Sequence, residues 1–214
     1  MVECTRIVNS WFSSNTYILS HSKYEDVWLI DPGDVLPVLE WLIRKGKKSV
    51  AGILLTHAHF DHMYGINDIL KAFPQSIVYT SNDYGMELLF DAKKNASQYT
   101  EMGSIVIDKE ATIRYYEQEQ FLWPGIPIKV YRTPGHSDDS VCFIVENMLF
   151  TGDTLIKDVR TVTKLKTGSK EKLEESLREI EFLKGKGLLV HPGHEDIFSL
   201  DEYNIAISKV GLLT

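Results

Sequence analysis

The stretch "THAHFDH", residues 56 to 62, places three of the chain's seven histidines close to one aspartate. His57 and His59 are two residues apart, so in an extended backbone their side chains project to the same side. Asp61 and His62 follow after a turn. Neutral imidazole nitrogens and a carboxylate are the ligands that suit zinc, iron or manganese. The stretch therefore predicts a metal site, with a polar, histidine-rich surface turn as the alternative.

Three later stretches place further ligand types directly after apolar, strand-like runs. "TPGHSDDS" brings His136 after a Pro-Gly turn, "LFTGDTL" brings Asp153, and "LLVHPGHED" brings His191 and His194. Functional side chains are commonly carried on loops at the ends of rigid strands. We therefore expect these side chains to be able to converge at one rim of a sheet.

Strands of two kinds must position these residues. Short apolar runs separated by turn residues predict a meander in the first thirty residues, and later runs alternate with helices. The predicted strands are "RIVNSWF", "NTYILS", "DVWLIDPG", "VAGILLT", "IKVYRT", "SVCFIV", "MLFTG" and "GLLV". Meander and alternating patterns together favour a mixed α/β sandwich with the helices outside.

Helical spacing of apolar residues marks the segments between these strands. In "DVLPVLEWLIRKG" the spacing predicts a helix that Asp34 caps and Gly46 ends. A second amphipathic helix is predicted in "SKEKLEESLREIEFLKG", with Leu173, Leu177 and Ile180 on one face. A third is predicted to begin at Ser199, four residues before "YNIAISKV", with Glu202 in capping-box spacing. Residues 81 to 120 predict a helix plus a loop, and such long loops are often binding loops.

Composition limits the functional classes. The net charge of −7 over 214 residues argues against a nucleic-acid-binding surface, which needs a basic field. No apolar run is long enough to cross a bilayer, and no signal peptide is visible. Cys4 and Cys142 are predicted to be two buried thiols in a reducing compartment. We expect a single cytoplasmic domain over residues 1–214 that acts on a small molecule.

Taken together and in this order, the stretches "THAHFDH", "TPGHSDDS", "LFTGDTL" and "PGHED" resemble the metallo-β-lactamase superfamily. The runs "NTYIL" and "LIDPGD" are also similar to the family's N-terminal strands. The resemblance extends from about residue 7 to residue 210. It implies an α/β fold, the four-layer αββα sandwich, with a metal site at one edge.

The resemblance also implies which residues bind metal. His57, His59 and His136 would hold a first ion, and Asp61, His62 and His194 a second, with Asp153 bridging both. The implied cofactor is two divalent metal ions, zinc being the expected metal and iron the alternative. Such a site lowers the pKa of bound water toward about 7, and the resulting hydroxide attacks the substrate. Asp61 would also orient this nucleophile.

Three residues near these motifs receive other roles. Asp31 in "DPG" is expected to order the neighbouring loop without binding metal. His191 is expected to be packed or hydrogen-bonded near the rim, because the family's ligand lies in "PGH" and corresponds to His194. His21, in the polar turn "SHSKYED", is expected at the surface.

Within the family, the ligand set is most similar to hydroxyacylglutathione hydrolases, which predicts hydrolysis of a thioester or a related small ester. "NAS" at residues 95 to 97 is also similar to that branch. The Gly-Cys-Gly-Arg run that follows "GDTL" in those enzymes is missing here, so glutathione is not implied as the thiol. The position of Asp153 argues against antibiotic hydrolysis. Persulfide dioxygenases, which use one iron, are the alternative, and a non-catalytic binding module is a third reading.

The segment after Asp153 is basic. Residues 157 to 170 contain five basic residues and one acidic residue, Asp158. A solvated strand and helix start would explain this pattern. The functional hypothesis is that Arg160 or Lys164 holds a substrate carboxylate near the metals.

Overall fold

The computed structural model describes residues 1–117 and 120–206. These residues form two compact units, the first being Met1–Tyr116 and the second beginning at Glu117. Both units have a mixed sheet with helices, which confirms the predicted α/β class. The prediction of one domain over residues 1–214 stays a prediction. Within the described ranges, no helix has the length and apolar character needed to span a membrane.

The sheet of the first unit has the strand order β1-β2-β3-β4-β5-β6. Strands β1 to β3 form the predicted antiparallel meander, whereas β3 to β6 run parallel. The strands are β1 Val2–Val8, β2 Asn15–His21, β3 Asp26–Ile30, β4 Ser49–Leu54, β5 Ile77–Thr80 and β6 Ile113–Tyr115. Because β3 and β4 are parallel, their carboxyl ends meet at the same edge. The segments that follow them, "DPG" and "THAHFDH", therefore leave the sheet side by side.

Three helices accompany this sheet: α1 Val35–Lys45, α2 Ile66–Ala72 and α3 Asp83–Phe90. Helix α1 buries Val38, Trp41 and Leu42 in the core of the unit, as the apolar spacing predicts. Gly46 ends the helix in the left-handed conformation at φ 65°, where glycine lacks the Cβ penalty. Asp34 precedes the helix, but its side chain does not bond to the helix backbone.

The sheet of the second unit has the order β12-β11-β10-β9-β8-β7, antiparallel except for the parallel pair β10 and β11. Its strands are β7 Gln120–Trp123, β8 Ile126–Arg132, β9 Val141–Val145, β10 Met148–Gly152, β11 Leu189–Pro192 and β12 Phe198–Ser199. Helix α4, Lys170–Glu181, buries Leu173, Leu177 and Ile180 together, which confirms the predicted apolar face. The carboxyl ends of β10 and β11 carry Asp153 and His194.

Besides the Asp34 cap, two further sequence predictions are wrong in the described residues. Ser199 does not begin a helix, because it pairs with Leu189 in the short strand β12 and Glu202 lies in the following turn. The later part of that predicted helix, from residue 207, lies outside the described residues. His21 is buried and not at the surface. The turn after β2 folds over its ring, so that Lys23 N donates to His21 Nδ1 at 3.2 Å.

Candidate metal centre

Asp31 organises the ligand segment of the first unit. It follows β3 directly with a positive φ of 50°, which Asp tolerates better than most residues do. Its Oδ1 accepts Thr56 N at 2.8 Å, and its Oδ2 accepts Thr56 Oγ1 at 2.6 Å. The same Oδ2 lies 3.0 Å from His62 Nδ1. One buried carboxylate therefore holds both ends of the "THAHFDH" segment.

The environment of Asp31 affects its protonation. Burial raises the pKa of the Asp31 carboxyl, because desolvation disfavours the charged form. The hydrogen bonds from His62 and Thr56 act in the opposite direction. The predicted loop-ordering role of Asp31 agrees with these contacts. The contact between Asp31 and His62, one of the predicted ligands, is not apparent from the sequence, because the two residues are 31 positions apart.

The rings of the first unit's three predicted histidine ligands lie against one another. The ring centroids of His57 and His59 are 4.7 Å apart, and those of His57 and His62 are 4.2 Å apart. All three side chains are buried. Asp61 Oδ2 lies 3.6 Å from His62 Nε2. The structure thus brings together the four predicted ligands of this unit in one cluster, with the carboxylate at its margin.

Backbone contacts hold this cluster in place. Phe60 N donates to Asn95 O at 3.1 Å, which ties the cluster to the loop after α3. Ser14 Oγ donates to Asp61 O at 2.7 Å. A Cβ at Gly65 would lie 2.1 Å from Gly33 O, so only glycine allows the "DPG" loop to pack this closely. Contacts of backbone carbonyls such as Asn95 O leave no trace in side-chain patterns, so they cannot be predicted from the sequence motifs.

His136 lies on a tightly packed loop of the second unit. The preceding Gly135 has φ 145°, and a Cβ there would lie 2.4 Å from the Cα of Leu173 in α4. His136 Nδ1 lies 2.8 Å from Val162 O, so this carbonyl accepts a hydrogen bond from the ring. Metal-binding histidines commonly donate their second ring N–H to a carbonyl or a carboxylate. The contact leaves Nε2 as the ring nitrogen for a metal.

Asp153 lies between two histidines of the second unit. His136 Nε2 is 3.7 Å from Asp153 Oδ2, and His194 Nε2 is 3.6 Å from Asp153 Oδ1. Each oxygen of the carboxylate therefore faces a different imidazole. His191 points elsewhere: its ring packs on Phe150 with centroids 4.8 Å apart, and its Nδ1 lies 3.0 Å from Leu189 O. This is the packed, hydrogen-bonded place expected for His191.

The donor set of each unit fits a bound metal ion. The histidine–carboxylate separations of 3.6 and 3.7 Å are too long for hydrogen bonds. Two ligand atoms that share one ion at about 2.1 Å, with an angle between the tetrahedral value and about 125°, lie roughly 3.4 to 3.7 Å apart. The ring nitrogens facing the carboxylates are Nε2, while Nδ1 of His62 and of His136 is held by a neighbouring oxygen.

A cavity of about 270 Å³ adjoins the ligands of the second unit. Asp153, His194 and Arg160 line it, together with the apolar side chains of Ile156, Val159 and Val162. Lys164 is exposed and is not among its lining residues. Arg160 therefore lies beside a cavity that the predicted ligands also line, whereas Lys164 does not. Substrate binding by either residue stays a prediction.

Known proteins similar to this chain include hydrolases. A hydroxyacylglutathione hydrolase of Pseudoalteromonas translucida is 30% identical over 173 residues, which are 80% of this chain and 58% of that protein. The chain therefore spans little more than half of that relative's length. A probable metallo-hydrolase of Streptococcus pyogenes is 29% identical over 91% of this chain and 84% of its own length.

Three solved structures share the fold. The BLEG-1 B3 metallo-beta-lactamase has a TM-score of 0.82 and 28% identity, covering 92% of this chain and 94% of its own. TTHA1623 in a di-iron-bound form has a TM-score of 0.73 and 26% identity, with the same coverage. ETHE1 from Myxococcus xanthus has a TM-score of 0.71 and 22% identity, covering 94% of this chain and 80% of its own. At this identity the likeness shows the fold and nothing more.

These likenesses confirm the fold that the sequence motifs predicted. The family model of the metallo-beta-lactamase superfamily matches residues 9–194, a range that includes all the predicted metal ligands. The match begins at the meander of the first unit and ends at His194. On this evidence of motifs, fold and family match, the chain belongs to the metallo-beta-lactamase superfamily.

Proposed function

We propose that this chain is a metal-dependent hydrolase of a thioester or a related small ester, with a small molecule as its substrate. One observation carries the proposal: in both units a histidine Nε2 lies 3.6 or 3.7 Å from a carboxylate oxygen, the spacing of ligands around a metal ion. The proposed ligands of two divalent ions, zinc or iron, are His57, His59, His136, Asp61, His62, His194 and Asp153. The proposed location is the cytoplasm.

The chemistry follows from this donor set. When bound, the two ions supply Lewis acidity and lower the pKa of water at the site. The contacts of His62 Nδ1 with Asp31 and of His136 Nδ1 with Val162 O keep the proton on Nδ1 and the lone pair on Nε2. Asp61, whose carboxylate lies at the partly exposed margin of its cluster, would also orient the attacking water. No serine or cysteine nucleophile is required.

A thioester suits these residues. Its leaving thiolate has a pKa of roughly 8.5, so it departs without the strong general acid that an amide needs. The likeness to hydroxyacylglutathione hydrolases at about 30% identity supports the same reaction class. Because the chain spans 58% of the first such relative, we do not extend the proposal to glutathione.

Hydrolysis of a β-lactam is a second candidate, favoured by the 28% identity and the TM-score of 0.82 to BLEG-1. The sequence analysis argued against antibiotic hydrolysis from Asp153. The dioxygenase alternative has support from the fold alone, since ETHE1 is 22% identical. A thioester is preferred because hydrolases of that bond recur among the relatives of this chain.

Two measurements on one sample test the proposal. The metal content of protein purified without added metal is measured first, by mass spectrometry of the elements. The same sample is then offered thioesters, lactones, phosphodiesters, a chromogenic β-lactam and a persulfide with an oxygen electrode. Turnover of a thioester with two ions per chain is expected. A single iron with oxygen uptake on the persulfide, or turnover of the β-lactam alone, would overturn the proposal.

A further inference from the structure

We propose that the second unit has a distal binding site for a carboxylate of the substrate, formed by Arg160 and Lys170. The inference rests on the proposed hydrolase function and adds a substrate class to it: small thioesters or esters with a negatively charged end. Sequence patterning pointed to Arg160 or Lys164. In the structure, Arg160 and Lys170 line the same cavity, and Lys164 is not among its lining residues.

Two neighbouring cavities of the second unit define this site. The first, described above, is lined by the metal ligands Asp153 and His194. The second has a volume of about 230 Å³, and its lining includes Lys170, Glu174 and Leu177 of α4. Arg160 and Thr161 line both cavities. A ligand reaching from the metal ligands into the second cavity therefore passes the Arg160 side chain.

The two cations in the second cavity are available for an anion. Neither the Arg160 side chain nor the Lys170 side chain makes a hydrogen bond or an ion pair with any residue that the structure describes. Other cations of the same helix are engaged: Lys172 pairs with Asp138 at 2.8 Å, and Arg178 lies 3.7 Å from Glu174. With Glu174 as its acidic lining residue, the cavity has a net positive charge. Guanidinium and ammonium groups bind carboxylates through charge-assisted hydrogen bonds.

The backbone that carries Arg160 is anchored to the metal ligands. Thr161 Oγ1 donates to Asp153 O at 2.9 Å, and Val162 O accepts from His136 Nδ1 at 2.8 Å. These two contacts follow Arg160 immediately in the sequence. The exposed Arg160 side chain therefore starts from a backbone position with a fixed relation to the proposed metal ligands of its unit. A fixed starting point lowers the entropy cost of binding a substrate.

The helix that carries Lys170 is anchored to the same loop. Ser169 N donates to Gly135 O at 2.9 Å, and Ser176 Oγ donates to Pro134 O at 2.7 Å. Because His136 follows Pro134 and Gly135 directly, the first turns of α4 also have a fixed relation to a proposed ligand. The backbone segments that carry both cations are thus held relative to the histidine and carboxylate at which the reaction is proposed to occur.

The lining also indicates what connects the two ends of the ligand. The lining of the second cavity includes Leu173 and Leu177, and that of the first includes Ile156, Val159 and Val162. Apolar walls with a few polar groups are typical of small-molecule sites. The site therefore fits a short aliphatic chain that ends in a carboxylate.

Matched substrates test the inference. S-acetyl thioesters of 3-mercaptopropionate and 4-mercaptobutyrate are compared with their methyl esters, which keep the length and lose the charge. We expect kcat/KM of the native protein to be about tenfold higher for at least one acid than for its methyl ester, the size of one charge-assisted contact. Arg160→Gln and Lys170→Gln should each remove most of this preference through KM, and leave the methyl esters within about twofold. Lys166→Gln is the matched control, because Lys166 is exposed and lines neither cavity.

Equilibrium binding separates the failure of this inference from the failure of the proposed function. Glutarate binding is measured by titration calorimetry on the native protein and on the same three variants. Hydrolysis of both substrate series with no preference for the acids, or with a preference that Arg160→Gln and Lys170→Gln leave intact, would overturn the carboxylate site alone. If no thioester is hydrolysed, the proposed function is wrong. The carboxylate site would still be supported if Arg160→Gln and Lys170→Gln weaken glutarate binding and Lys166→Gln does not. Glutarate binding that none of the three substitutions changes would overturn the site.

Discussion

Replacement of Asp31 by asparagine tests how the first unit directs His62 toward a metal ion. In the native protein Asp31 Oδ2 lies 3.0 Å from His62 Nδ1, which donates its proton to the carboxylate. Asparagine keeps the shape and tolerates the φ of 50° at this position. Its Oδ1 can still accept Thr56 N, but its Nδ2 donates where Oδ2 accepted. His62 Nδ1 must then become the acceptor, and the proton moves to Nε2, the nitrogen proposed to bind metal.

The expected magnitudes follow from these contacts. The loss of an orienting partner of a metal-bound histidine typically lowers metal affinity by 10- to 100-fold, which corresponds to about 1.4 to 2.8 kcal/mol. Exchange of a charge-assisted hydrogen bond for a neutral one should lower the free energy of unfolding by only about 1 to 2 kcal/mol. Asp31→Asn should therefore remain folded and lose the second ion first.

The assay is competition for metal with a chelator, combined with denaturant unfolding of the same samples. Asp34→Asn is the matched control, because Asp34 accepts hydrogen bonds from Ser10 and Tyr64 and none from a histidine. In this control the free energy of unfolding should decrease by a similar amount, and the metal affinity should stay unchanged. If Asp31→Asn kept both ions with affinity within twofold of the native protein, the tautomer argument would be refuted.

Four further outcomes are expected. Asp153→Ala should lose the second ion and lower turnover by several orders of magnitude while staying folded; two retained ions with a near-normal rate would contradict its bridging role. His194→Ala should lower metal stoichiometry and activity together, whereas His191→Ala should keep most of both, because the His191 ring packs on Phe150. The reverse result would contradict the assignment of His194 as the ligand. Cys142 should resist thiol reagents at pH 8 until the protein unfolds, because burial raises its pKa to about 12; rapid native-state labelling would contradict this. Gly135→Ala should lower the free energy of unfolding by about 3 kcal/mol or more, since its Cβ would meet the backbone of Leu173; a change below 1 kcal/mol would contradict the packing.

Candidate metal ligands could be proposed from the sequence because ligand chemistry is local. Histidines and aspartates placed after apolar strands report both the ligand type and the element that carries it. His57 and Asp153 were proposed as ligands in this way, and the family model matches the range of residues that includes both. The apolar face of α4 and the glycine that ends α1 were predicted for the same reason: helical spacing and a left-handed cap are properties of a few neighbouring residues.

Other features depend on residues far apart in the chain. The end of the chain near Ser199 has helical capping residues, yet pairing with Leu189 makes Ser199 part of a strand. His21 follows polar turn residues, yet the fold buries it. In both cases long-range contacts outweigh the local preference, which is worth only a few tenths of a kcal/mol to about 1 kcal/mol per residue.

The same distinction applies to the candidate site. The residue types around Arg160 showed only that the segment is basic, and did not separate Lys164 from Lys170. Tertiary structure separates them, because the loop carrying His136 packs against α4 and brings Lys170 to the cavity that Arg160 lines. Likewise, the sequence shows where the histidines are, but the ring nitrogen that is left for a metal depends on contacts with Asp31 Oδ2 and Val162 O. Sequence determines which groups are available for chemistry, and packing between distant segments determines their neighbours and therefore their protonation and direction.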